Sequence, residues 1–240
     1  MFLCRPKMEK PYVSAVVPAA GFSTRMEGLD KQLEVLDGTP VLAHTLEALS
    51  YSDWIDELVV VTRSDMIPAV LELVKDFEIL KVRSVVAGGE TRQQSVWMGI
   101  QAVSPQTAYV AIHDGARPLV GQQVIAESVI EAIRYGAAAA AVPVVDTIKV
   151  ANSDKMIDHT PDRSKLYAVQ TPQVFRLDRY KEAMEMAKNQ GKDYTDDCQM
   201  LEAIGQQVYL SSGEYTNLKI TTPTDLLMAQ LILEQTKEMV

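Results

Sequence analysis

The chain has 240 residues, and its 23 Lys and Arg face 32 Asp and Glu, a formal net charge of -9, which excludes nonspecific binding to nucleic acid as a main function. Apolar residues make up 47% and charged residues 23%, a globular composition, and one α/β domain accommodates this length, so a single domain over residues 1–240 is expected. The opening MFLCRPKMEKP is too short and too charged for a signal-peptide core, and no stretch approaches the roughly 18 apolar residues of a membrane span, so a cytoplasmic protein with no membrane partner is expected. In chain order, apolar runs rich in β-branched residues predict strands over 13–18, 58–62, 82–86, 109–112 and 139–144. Apolar residues three and four apart predict the intervening helices over 40–49, 67–77, 92–103 and 124–135. Residues 146–170 break this alternation and read as a β-hairpin around Asn152, Ser153 and Asp154, an arm that one domain by itself covers on one face only. A helix carrying Met200 and Leu201, strands over 208–210 and 217–220, and a final helix over 223–235 complete the reading. That last helix carries a capping pattern, with Thr222 as cap, Pro223 at the first position and Asp225 closing the box. The fold class is therefore α/β, a doubly wound and mostly parallel sheet with a protruding hairpin arm.

Open parallel sheets bind ligands beyond the carboxyl ends of their strands, so the residues just after each apolar run carry the chemistry. The first such loop is Pro18, Ala19, Ala20, Gly21, Phe22, Ser23, Thr24 and Arg25, with Lys31 and Gln32 shortly after. Its small residues let backbone N–H groups approach phosphate oxygens, and Arg25 and Lys31 add positive charge, although the same residues also make a tight βα turn with solvated cations. Neither GxGxxG nor GxxxxGK[ST] occurs in it, which disfavours a dinucleotide dehydrogenase and a P-loop. The third loop offers Gly88, Gly89, Glu90 and Thr91 before a helix that holds Ser95, suited either to a base or sugar or simply to a capped helix start. After the fourth strand stands Asp114, followed by Gly115 and Arg117. A carboxylate there is a candidate ligand for Mg²⁺ shared with phosphates, or a turn residue paired with Arg117. His113 reads as a core histidine, and the histidines at 44, 113 and 159 lack zinc-ligand spacing. Cys4 and Cys198 form no motif, and Cys198 reads as a buried helix position.

In order, PAAGFSTRM, KQ, GGETRQQSV, HDGARPLV, VPVVDTIK, QTPQVF, TDDCQMLEAIG and NLKITTPTDL resemble the 2-C-methyl-D-erythritol 4-phosphate cytidylyltransferases over nearly the whole chain. The resemblance implies a Rossmann-like nucleotidyltransferase fold and a CTP-dependent enzyme of the non-mevalonate isoprenoid pathway. It implies products of 4-diphosphocytidyl-2-C-methyl-D-erythritol and pyrophosphate, a Mg²⁺ cofactor at Asp114, and a homodimer joined through arms over 146–170. Carried over by position, it implies CTP contacts from Pro18, Ala19, Ala20, Gly21, Ser23, Gly89, Glu90, Ser95, Asp114 and Gly115. Arg25, Lys31 and Lys219 take catalytic roles, and Asp114, Arg117, Thr147, Arg163, Thr171, Thr195 and Lys219 hold the methylerythritol phosphate. Thr147 and Arg163, on the arm, serve the neighbouring subunit's site. Ser23, Asp30, Glu90 and Gly115 depart from the residues common in the family, and Asp30 stands beside Lys31. The alternatives are a ribitol 5-phosphate cytidylyltransferase, whose first loop usually reads Ala-Gly-Gly where this chain has Ala19, Ala20 and Gly21, and a noncatalytic nucleotide-binding homologue.

Overall fold

The computed structural model describes residues 10–21 and 32–238. Strands β1 (Val13–Pro18), β4 (Glu57–Thr62), β5 (Val82–Ala87), β6 (Tyr109–Ile112), β7 (Ala137–Pro143), β10 (Tyr167–Arg176) and β11 (Tyr209–Ser212) form one sheet in the order β11-β7-β10-β6-β1-β4-β5. Every pair is parallel except the two that β10 makes, with β6 and with β7. Two short ribbons stand apart, β2 (Val35–Leu36) with β3 (Thr39–Pro40), and β8 (Val150–Ala151) with β9 (Ile157–His159).

The sheet is covered on both faces, which is why β1 and β4 are apolar almost without interruption. Alternate residues Val13, Ala15 and Val17 of β1 pack with helices α1 (Val41–Tyr51), α2 (Ile67–Asp76) and α4 (Gln122–Tyr135). Val16, from the opposite face, packs with α3 (Arg92–Gln101), α5 (Leu177–Asn189) and α6 (Asp197–Ala203). Cys198 is buried in α6, as expected, and burial pushes its thiol pKa up. The final helix α7 (Pro223–Glu238) closes a third cluster, with Ala229 and Ile220 against Leu36 of β2. Its start follows the predicted capping box: Asp225 Oδ2 accepts from the backbone N–H groups of Thr221 and Thr222, each at 2.8 Å, while Thr222 Oγ1 accepts from Asp225 N–H.

Three readings need correction. Residues 217–220 are not a strand; their single long-range backbone bond runs from Ile220 N–H to Ala116 O at 2.8 Å, and side chains hold the rest of the segment across the strand ends. The stretch Tyr167 to Gln170, assigned to the arm, starts β10, where Tyr167, Ala168 and Val169 pair with Pro143, Val142 and Ala141 of β7. The helix α5 was not anticipated. Strand β7 begins two residues before the expected start, and its alanines are buried between helices and strands that approach closely, so packing outweighs their weak strand preference. The hairpin itself forms as read: Asn152 Oδ1 accepts from the N–H groups of Asp154 and Met156, both at 3.0 Å.

Candidate active site

The chain runs from β1 outward through β4 to β5 and then returns to place β6 on the other side of β1. Beyond the carboxyl ends of β1 and β6 the connections therefore diverge, and a crevice opens at this switch point. The cleft there has a volume of about 260 Å³ and is walled by the βα loops after β1, β5 and β6 and by Lys219. From the first loop come Pro18, Ala20 and Gly21; from the loop after β5, Gly89, Glu90, Thr91, Arg92 and Ser95; from the loop after β6, Asp114, Gly115 and Ala116.

Close approach explains the small residues. A Cβ on Gly88 would meet Ala20 Cβ at 2.8 Å and Ser95 Oγ at 2.7 Å, so the first and third loops touch only because Gly88 has none. The Ser95 hydroxyl clasps its own loop, accepting from Gly89 N–H at 3.2 Å and donating to Thr91 O at 2.9 Å. Thr91 caps α3 by accepting from Gln94 N–H, so the capped helix start, one of the two readings open for this loop, is present. Ala19 lies beneath the cleft floor, buried, with its N–H donated to Val61 O.

Asp114 is the electrostatic centre. Its Oδ2 is 2.9 Å from Lys219 Nζ and 3.4 Å from Arg117 Nε, and its Oδ1 is 3.7 Å from an Arg92 terminal nitrogen. Burial alone would raise the carboxyl pKa, but Lys219, Arg92 and Arg117 together hold it well below the usual carboxylate range. Arg117 also donates to Asn217 O at 2.6 Å, which anchors the segment that delivers Lys219. Behind this cluster, Thr171 Oγ1 accepts from Asp114 N–H at 3.0 Å and donates to His113 Nδ1 at 3.1 Å. His113 is fully buried, and desolvation pushes it down to about 4, so the ring is neutral.

Among the described residues no three His, Cys, Asp or Glu side chains gather as a metal cage. The donors do suit an ion that arrives on phosphate oxygens and takes a single protein carboxylate, because Asp114 lines the cleft and Arg92, at 3.7 Å from its Oδ1, is beyond hydrogen-bond distance.

The sequence profile of the 2-C-methyl-D-erythritol 4-phosphate cytidylyltransferases (IspD) matches residues 13–235. The chain belongs to this family. The family's reaction transfers a cytidylyl group from CTP to 2-C-methyl-D-erythritol 4-phosphate, a step of isoprenoid-precursor synthesis. A cytidylyltransferase of that name from Caldanaerobacter subterraneus subsp. tengcongensis is 45% identical over 225 residues, covering 93% of this chain and 99% of the relative. The namesake from Desulforamulus reducens is 44% identical, covering 93% and 96%. Among solved structures, the 4-diphosphocytidyl-2C-methyl-D-erythritol synthase of Anaerococcus prevotii superposes with a TM-score of 0.85 at 30% identity, covering 94% of this chain and 97% of that one. The cytidylyltransferase of Thermus thermophilus gives 0.75 at 32% identity, covering 92% and 98%.

Of the residues that the family resemblance singles out, Pro18, Ala20, Gly21, Gly89, Glu90, Ser95, Asp114, Gly115 and Lys219 line the cleft. Arg117 and Thr171 bond to Asp114 from outside the lining. Thr147, Arg163 and Thr195 are exposed and away from the lining; Arg163 donates to Val145 O at 2.6 Å at the root of the arm. Ser23, Arg25 and Lys31 lie outside the described residues. Sequence reasoning overlooked Arg92 and Asp197. A cation at the first position of a helix opposes the helix dipole, and that mismatch was the available signal for Arg92.

Proposed function

We propose that this cleft is where CTP and 2-C-methyl-D-erythritol 4-phosphate react, with the site residues shared between two subunits. The observation that carries the reading is the placement of Asp114 among Lys219, Arg117 and Arg92 at the sheet's switch point. The acceptor phosphate is already an anion and needs no general base. One of its oxygens attacks the α-phosphorus of CTP in line, the new O–P bond forms as the bond to the β-phosphate oxygen breaks, and pyrophosphate leaves. Two anions must be brought together, so the protein's work is positioning and charge neutralisation.

Ala19, Ala20, Gly21, Gly89 and Ser95 hold the nucleotide against small-residue loops, and Arg25 and Lys31 stabilise the crowded α-phosphate. Lys219 and Arg117 grip the acceptor phosphate, with Thr171 fixing the backbone beneath them. A Mg²⁺ ion bound by phosphate oxygens and Asp114 would supply charge neutralisation on the triphosphate. One domain spans the chain, the protein works in the cytoplasm as a homodimer, and residues 146–166 form the dimerisation arm that offers Thr147 and Arg163 to the neighbouring site. The apolar surface of that segment supports this, since Met156 and Ile157 are 65% and 64% exposed.

Purified protein supplied with CTP, Mg²⁺ and 2-C-methyl-D-erythritol 4-phosphate is expected to release pyrophosphate, and ribitol 5-phosphate in its place to release none. Release with ribitol 5-phosphate alone would overturn the choice of acceptor. No release with either would leave a nucleotide-binding module.

A further inference from the structure

Arg92 opens α3 on the wall of the cleft, where its charge opposes the helix dipole. Its position is explained by what it bridges. One terminal nitrogen lies 2.6 Å from Asp197 Oδ2 and the other 3.7 Å from Asp114 Oδ1. The first contact is a charge-assisted hydrogen bond and the second is too long to be one. Asp197 is the buried first residue of α6, and its second oxygen accepts from the buried Tyr180 hydroxyl of α5 at 2.6 Å. The Tyr180 ring packs on Phe175 of β10, with centroids 5.6 Å apart. The guanidinium is therefore tied to the core on one side and held short of Asp114 on the other. The neighbouring chain is stapled in the same sense: Thr91 Oγ1 donates to Asp193 at 3.0 Å, and Gln93 Oε1 accepts from Tyr194 N–H at 2.8 Å.

We infer that Asp197, steadied by Tyr180, is a positioning residue that acts through Arg92, keeping its guanidinium on the cleft wall and off Asp114. Without the Asp197 carboxylate, the nearest anion for Arg92 is Asp114. The guanidinium would close on Oδ1, occupy the oxygen proposed for the nucleotide's metal ion, and withdraw N–H donors from the cleft. This rests on the cytidylyltransferase reading of the cleft.

The test is a double-mutant cycle. Asp197→Asn, which keeps shape and an acceptor for the Tyr180 hydroxyl, is expected to raise KM for CTP about tenfold with kcat changed by less than about threefold. In an Arg92→Gln background the same change should leave KM unaltered, because its intermediary is gone. Tyr180→Phe, which keeps the ring, should move KM in the same direction by about two- to threefold, and it carries the test if Asp197→Asn does not fold. A merely structural role would lower the melting temperature and the active fraction while leaving KM in place, and effects that multiply in the Arg92→Gln background would overturn the inference. A crystal structure of Asp197→Asn, or of Tyr180→Phe if the first does not fold, reads the geometry without reference to substrate. For Asp197→Asn the 3.7 Å gap to Asp114 is expected to close to about 3 Å; for Tyr180→Phe the Arg92–Asp197 contact is expected to lengthen. An unmoved guanidinium overturns the strut. An inactive wild-type protein would instead overturn the functional reading.

Discussion

His113 shows how one side chain is decided by its neighbours. The Arg117 carbonyl can only accept, and it faces His113 Nε2 at 3.3 Å, so the neutral ring carries its proton on Nε2. Nδ1 is then an acceptor, and the Thr171 hydroxyl, which takes Asp114 N–H on a lone pair, donates its proton to it. This neutral tautomer links stability to pH. The unfolded histidine takes a proton near 6.5, whereas burial holds the folded one down to about 4. Between these values the unfolded chain binds more protons, so stability contributed by His113 is present above pH 6.5 and is lost as the pH falls toward 4. The loss by pH 5 is about 2 kcal/mol, readable as a shift in urea unfolding between pH 7.5 and 5. His113→Gln should abolish that part of the slope, and an unchanged slope in the variant would assign it to other groups. His113 was legible in the sequence as a core histidine. Its tie to Thr171 was not, because the two residues are 58 positions apart and meet only when β10 pairs with β6.

Helix α3 illustrates the element scale. Its cap and its two preceding glycines were readable because capping and turn chemistry are local. Its depth against the sheet was not. A Cβ added at Gly99 would lie 2.4 Å from Val16 Cγ1 and 2.8 Å from Val61 Cγ2, so this glycine sets how close α3 sits to β1 and β4. Gly99→Ala gains about 1 kcal/mol of helix propensity, but overpacking a buried contact costs about 1–3 kcal/mol. Because both contacts are shorter than real Cβ atoms tolerate, the clash is expected to win, and thermal unfolding should show a lowered Tm. A raised Tm would mean that the helix moves outward freely. The same contrast explains residues 217–220. Their alternation resembles a strand, yet Asn217 is fully buried and its Nδ2 donates to Thr171 O at 2.9 Å, which fastens the segment across the strand ends rather than beside them. Strand β10 was missed as an element for a related reason. It is the one antiparallel member of the main sheet, so the strand-helix alternation that reveals its parallel neighbours does not frame it.

At the scale of the whole molecule, an acidic chain of net charge -9 concentrates cations where the proposed ligands are anionic. Arg92, Arg117 and Lys219 are set around Asp114 and Asp197, with Glu90 also on the cleft wall, so the described charges balance there whereas the protein as a whole is negative. The proposed sharing of the site between two subunits is testable by mixing two inactive proteins. Arg25→Ala and Arg163→Ala subunits should each be inactive alone and regain activity together, because a heterodimer contains one site that has both arginines. Heterodimers that form, as seen by native mass spectrometry, yet stay inactive would count against shared sites. By itself the sequence determined the layered α/β class, the four early strand-helix units, the hairpin turn, the capping box and the loops that line the cleft. All of these depend on periodicity or on residues within a few positions of one another. Only the tertiary structure decided that β10 enters the sheet in reverse, that Lys219 reaches Asp114 from 105 residues away, and that Arg92 is held between Asp114 and Asp197. Those pairings join distant segments through buried charge, and a side chain's burial and partners are set by packing that no local pattern encodes.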